Sequence, residues 1–283
     1  MFKLASWVQE DKLEQSLSFN KRAIQYLEKH PEKINWVYLS ENSEAIPILE
    51  KNLDKVIWSC LCINTGAFNL LKKNPGKINW SNLCLNEAAF PLIQANPERI
   101  NWNCLSHNKA AAELFESNVE NLNWRAIAQN TGAIHIFEKY MNKRFDLWHL
   151  AGNLSSNEKA IHILSNQLAY VDWFNLSKNP AAIHLLEKNI EKINWDGLSQ
   201  NPAAIHLLTE FQEKINWDYL SFNPAAGDLL KANPERVNWS KISANTCIFE
   251  YDYEHMSRPF TEELMANRFH PKNMDKFESW GYE

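Results

Sequence analysis

The residues best suited to chemistry in this chain recur in columns. His135, His162, His184 and His206 each lie five positions after an asparagine of a repeating pattern. To share one metal ion, their nitrogens would have to converge within about 4 Å, set by metal–nitrogen bonds of roughly 2 Å. Equivalent atoms in successive packed helical units stand roughly 8–10 Å apart, so the column is read as a solvated or half-buried row. The cysteines, Cys60, Cys62, Cys84, Cys104 and Cys247, are odd in number and form no CxxC pair. Cys62 and Cys84 stand where other copies hold Ser40, Ser106, Ser177, Ser199 and Ser221. That exchange suits a small, semi-buried place filled by a reduced thiol rather than a zinc ligand. No phosphate loop, nucleophile elbow or HExxH motif is present, and such motifs carry the mechanisms that would otherwise be inferred. No catalytic, cofactor or metal residue is assigned, and the chain is not read as an enzyme.

Two further columns have the residue types that grip macromolecules. Lys33, Lys55, Lys77, Arg99, Lys192, Lys214 and Arg236 form a basic row that could follow a phosphate backbone, but Glu32, Asp54, Glu98, Glu191, Glu213 and Glu235 precede them directly. Adjacent opposite charges cancel the field a polyanion would feel. Trp36, Trp58, Trp80, Trp102 and Trp124, then Trp173, Trp195, Trp217 and Trp239, fall in steps of 22 and could stack bases or sugars. A residue kept in phase beside Ile and Leu is more simply core.

These columns belong to a tandem repeat. Asn20, Asn42, Asn64, Asn86, Asn108 and Asn130, then Asn157, Asn179, Asn201, Asn223 and Asn245, mark eleven units, with Ala three places after each except at Ile248. Asn201-Pro202 reads as an N-cap followed by a first-turn proline. Ala204, Ile205, Leu207 and Leu208 then form one apolar helical face. Asn74, Asn96 and Asn233, each followed by Pro, suggest a left-handed helix end. Asn194 before Trp195 caps a second short helix. The constant Ala implies a close neighbouring helix.

The sequence therefore predicts an all-α fold, a right-handed α-solenoid of about eleven short two-helix repeats with terminal caps. The alternative is a leucine-rich-repeat-like α/β solenoid, because IxxxxLxxN (Ile193, Leu198, Asn201) matches part of that frame. Residues 1–13 are expected to form the N-terminal cap, 14–248 the repeats, and 249–283 a C-terminal cap and tail with a helix from Thr261 to Asn267. Eleven stacked units would make an open curved rod on the order of 100 Å long. Trp124 and Trp173 are 49 apart where two units need 44, so 140–156 is irregular and its surplus is expected in loops.

The unit WDxLSxNPAAIHLLEKNxEKINW resembles a short tandem repeat of uncharacterised proteins from large DNA viruses of algae and amoebae. The tail from Phe269 through His270, Pro271 and Phe277 to Trp280 is similar to segments that end many proteins of those viruses. The resemblance implies a viral or related origin and expression in a host cell, and no catalytic residue.

Net charge is −5, which gives no global attraction for nucleic acid or an anionic membrane. No run is long enough to span a bilayer, and an intracellular protein, in the host cytoplasm or in a virion, is expected. The expected function is a non-catalytic scaffold for protein–protein interaction. A structural part of a viral particle and RNA binding along the Lys/Arg row are the alternatives. Repeats fix their cores and vary their faces. The variable places one, two and five after Trp, represented by Tyr38, Glu41, Asn103, His107, Asp218, Tyr219 and Phe222, are the candidate partner-binding face.

Overall fold

The computed structural model describes residues 2–144, 147–165 and 167–253. Among these are twenty α-helices of four to eleven residues, eighteen 3-10 turns and one two-stranded antiparallel sheet. The fold is all-α, and no parallel sheet of the leucine-rich-repeat kind occurs among the described residues.

The ninth unit shows how the sequence builds each copy. Asn194 Oδ1 accepts from the Gly197 amide and starts a tryptophan helix, Trp195–Ser199. Asn201 Oδ1 accepts from the Ala203 amide, but what it starts is a 3-10 turn, Pro202–Ala204, and only then the distal helix Ile205–Glu210. A second 3-10 turn, Gln212–Lys214, leads to the next copy. The expected helix end is also different. Asn74, Asn96 and Asn233 have φ of −127°, −135° and −134°, not the left-handed conformation. Their side-chain amides instead donate to the carbonyls four residues back, Leu70, Leu92 and Leu229, at 2.9 Å, satisfying acceptors that a helix end leaves open.

The asparagine column joins the units. Each of the eleven is buried, at most 4% exposed. Asn201 Nδ2 donates to the Ser177 carbonyl at 2.9 Å and to the Asn179 carbonyl at 3.1 Å in the preceding unit, and the same pair recurs at Asn42, Asn64, Asn86, Asn108, Asn130, Asn223 and Asn245. A serine ladder runs beside it: Ser199 Oγ donates to the Trp195 carbonyl and accepts from the Asn216 amide of the next unit. Cys62 serves in the same place, accepting from the Asn79 amide, as the Ser-to-Cys exchange implies.

Both ladders continue across the two ends of the chain. Asn20 Nδ2 donates to the Ser243 and Asn245 carbonyls at 3.2 and 2.7 Å, and the Glu14 amide donates to Ser243 Oγ at 3.0 Å. The first unit thus bonds to the eleventh as every unit bonds to its predecessor. Strand β1 (Phe2–Leu4) pairs antiparallel with β2 (Phe249–Tyr251) over this seam, with Lys3 opposite Glu250. Arg22 adds bonds to the Thr246 and Phe249 carbonyls. The eleven units form a closed ring, not an open rod, and residues 2–13 and 249–253 join the ends rather than cover them. At roughly 8–10 Å per unit the ring is on the order of 30 Å across at its mid-line. The expected helix at Thr261 to Asn267 and the tail lie outside the described residues.

Curvature follows from unequal spacing. Successive tryptophan helices lie against each other so closely that a Cβ on Gly197 would stand 2.4 Å from the Phe174 carbonyl oxygen. Successive distal helices are bridged by long side chains, Lys51 to Glu28 at 3.8 Å and Lys139 to Glu116 at 3.2 Å. The tryptophan helices take the inner radius and the distal helices the outer one. The surplus of residues near 140 goes mainly into a distal helix of eleven residues, Ile134–Arg144, rather than a loop.

All ten alanines of the column are fully buried. Replacing Ala182 or Ala204 by Leu should cost about 1–3 kcal/mol through overpacking, read by denaturant unfolding. Asn201→Ala removes a cap and two inter-unit bonds and should cost about 2–4 kcal/mol. Asn20→Ala tests the ring: it should cost as much as Asn201→Ala, whereas in an open rod it would cost only the cap to the Arg22 amide, about 1 kcal/mol.

Candidate functional site

The tryptophan helices carry every residue of the expected partner-binding face or lead directly into it. Asn103, His107, Asp218 and Phe222 are exposed, while Tyr38, Glu41 and Tyr219 are half-buried. Closure of the ring decides which of them meet. Tyr219 and Phe222 belong to the tenth unit and Tyr38 and Glu41 to the second, so only the eleventh and first units separate them. Lys241 of the eleventh unit lies over the Tyr219 and Phe222 rings at 5.1 and 5.6 Å and 3.5 Å from Asp218 Oδ2. The amide of Asn238, donating to Asp218 at 2.9 Å, and then Lys241 hold that carboxyl below its usual range. Ser16 Oγ donates to the Ser240 carbonyl across the seam, and Phe19 stacks on Tyr38 with centroids 4.5 Å apart. Phe222 and Phe19 are 48% and 39% exposed. The result is two aromatic groups, Tyr219 with Phe222 and Phe19 with Tyr38, that flank the seam and come from opposite ends of the sequence.

Asn103 and His107 belong to neither. They sit in the fifth unit, where His107 borders a separate cleft of about 330 Å³ with Gln129, Thr131 and Glu158. Phe19 and Lys241 belong to these groups although the sequence reading did not select them. Both occupy places already recognised as variable, five and two after the tryptophan position; what it lacked was the knowledge that their units are neighbours.

A larger cleft, about 550 Å³, opens at the seam, lined by Glu14, Ser16, Glu32, Lys33, Tyr38 and Ser240 among others. Glu14 is the residue that stands in the first place of the tryptophan column.

The remaining columns have structural partners. Lys55, Arg99, Lys192 and Arg236 lie over Trp36, Trp80, Trp173 and Trp217, nineteen positions earlier, 4.9 to 5.4 Å from the ring centroids. The basic row is thus drawn onto the indoles by cation–π attraction, in addition to its acidic neighbours. His162 and His206 engage Glu138 and Glu187 of the preceding units, and no group of three or more metal-ligating side chains gathers among the described residues. No helix among them is long and apolar enough to cross a membrane. Compared with known proteins, the chain matches no family model, no curated protein and no solved structure.

Burial pushes the Cys62 and Cys84 thiols up and raises Cys247 to about 12; at Cys60, burial and then the Glu41 carboxylate do the same. A raised pKa means that the reactive thiolate appears only as pH climbs toward it. At pH 8, Cys247 should therefore alkylate on the order of a thousandfold more slowly than a free thiol of pKa about 8.5, with the rate still rising above pH 10. Iodoacetamide labelling followed by mass spectrometry checks this.

Proposed function

We propose that the protein is a non-catalytic ring-shaped scaffold whose tryptophan-helix face, centred on the seam, binds a protein partner. The observation that carries this reading is the two aromatic groups flanking the seam, exposed Phe19 and Phe222 with half-buried Tyr38 and Tyr219. Large aromatics with few rotatable bonds supply much contact area at low entropic cost, and they dominate interface energetics. Lys241, Asp218 and Glu41 give these groups a polar rim, the usual anatomy of a reversible interface. A rigid repeat frame suits this role because its core is constant while its face varies from unit to unit.

A structural role in a viral particle is the second reading. It rests on the resemblance of the repeat and tail to proteins of large DNA viruses, and a host cytoplasm or virion is the matching location. RNA binding along the Lys/Arg row is disfavoured because Lys55, Arg99, Lys192 and Arg236 lie over indoles, and acidic residues flank the row.

Affinity purification from native cells separates the readings when wild-type bait is compared with a Tyr38→Ala/Tyr219→Ala/Phe222→Ala variant and with an outer-rim His184→Ala/Lys188→Ala control. A partner of this face should be retained by wild type and control and weakened at least about thirtyfold in the triple variant, since one hot-spot aromatic is worth about 2 kcal/mol. Equal capture by all three baits would refute the face as interface. Recovery with intact particles would favour the structural role. Nucleic acid lost on charge reversal of Lys192, Lys214 and Arg236 would favour RNA.

A further inference from the structure

The seam cleft lies where the repeat departs from its own rule. Nine units place a tryptophan at the start of the inner helix; the first unit places Glu14 there and the seventh Ala151, with Trp148 three residues ahead of it. In four units the lysine or arginine nineteen places on lies over that indole; here Lys33 turns instead to the Tyr26 ring, 5.9 Å from its centroid, and donates to the Glu10 carbonyl at 3.3 Å. Tyr26 replaces the Ile or Leu of other copies, such as Ile48 and Leu70, and takes up the cation. Space remains beside Glu14, and it has the makings of an indole site. Leu13 and Ile34 offer apolar wall, the Glu14 and Glu32 carboxylates can accept an N–H, and Tyr38 offers a ring face already fixed by stacking on Phe19.

The chain has twelve tryptophans: nine in the column, Trp148 just off it, Trp7 and Trp280. Trp7 is half-buried against the core. The described chain runs out at Tyr253, two residues after the strand that closes the ring, and so on the seam itself. Trp280 follows 27 residues later. An extended chain covers up to about 3.3–3.6 Å per residue, so the span from Tyr253 is up to about 90 Å, roughly three times the mid-line diameter of the ring.

We propose that the seam cleft is a docking site for the tail of this same chain, with the Trp280 side chain entering beside Glu14. The bound tail would then set an indole at the first unit's place in the tryptophan column and lie against Tyr38, covering part of the candidate face. The inference stands whether or not that face binds a protein partner, because it concerns contacts within one chain.

The test uses the full chain labelled with 5-fluorotryptophan and followed by fluorine NMR, with Trp280 assigned through Trp280→Phe. The Trp280 resonance should differ from that of a free peptide covering residues 268–283. It should move onto the free-peptide position in Glu14→Trp, which fills the cleft, and in the milder Glu14→Phe should the larger residue impair folding. A wild-type Trp280 resonance already at the free-peptide position overturns the proposal. So does a distinct resonance unchanged in both Glu14 variants, which would place the indole elsewhere. A third adverse result is binding of an added tryptophan peptide to the cleft of the wild-type chain while Trp280 stays at the free position, which would make the site one for another polypeptide.

Discussion

Everything in this ring hangs on one buried amide. Each repeat asparagine accepts a backbone N–H within its own unit through Oδ1 and donates through Nδ2 to carbonyls of the unit before it. Two short helices cannot bury an apolar face alone, and helices of four to six residues are unstable in isolation. The asparagine ties the start of one unit to the exit of another in a place without water, where an unmet polar group is costly. The geometry of the stack is therefore set by hydrogen bonds as much as by apolar burial, and the fully buried Ala and Leu positions fill the spacing those bonds impose.

Closure removes the weak point of repeat folds. A stacked array has two ends whose apolar faces and polar ladder need covering. Here the ladder at Asn20 finds its acceptors at Ser243 and Asn245, and the short β1–β2 pair locks the junction. The eleven units bend through a full circle because their inner helices approach more closely than their outer ones. The small residues of the inner layer, Gly197 being the extreme case, permit that approach.

The outer columns show how a suggestive pattern is absorbed by packing. Basic residues in phase along a repeat look like a phosphate track, yet each one that covers an indole is held at a distance suited to cation–π attraction. Where Glu14 replaces the indole, the lysine is redirected and a cleft remains. Departures from a repeat's own rule are more informative about binding than the rule.

Much of this was legible in the residue types. The 22-residue phase, the helical class, the Asn caps and the buried alanines follow from spacing and capping chemistry, because each depends on contacts within a unit or with its identical neighbour. The candidate face was legible as a set of variable positions, but not as two groups flanking a seam. Tyr38 and Phe222 are 184 positions apart in the sequence, and nothing local says that only two units stand between the second and the tenth. The small angle between units decides that. It accumulates over eleven interfaces, and each contributes too little to leave a signature in any one motif. The repeat and its chemistry belong to the sequence by itself; the ring, its seam and the surface assembled there exist only because that summed rotation brings Asn20 to Asn245.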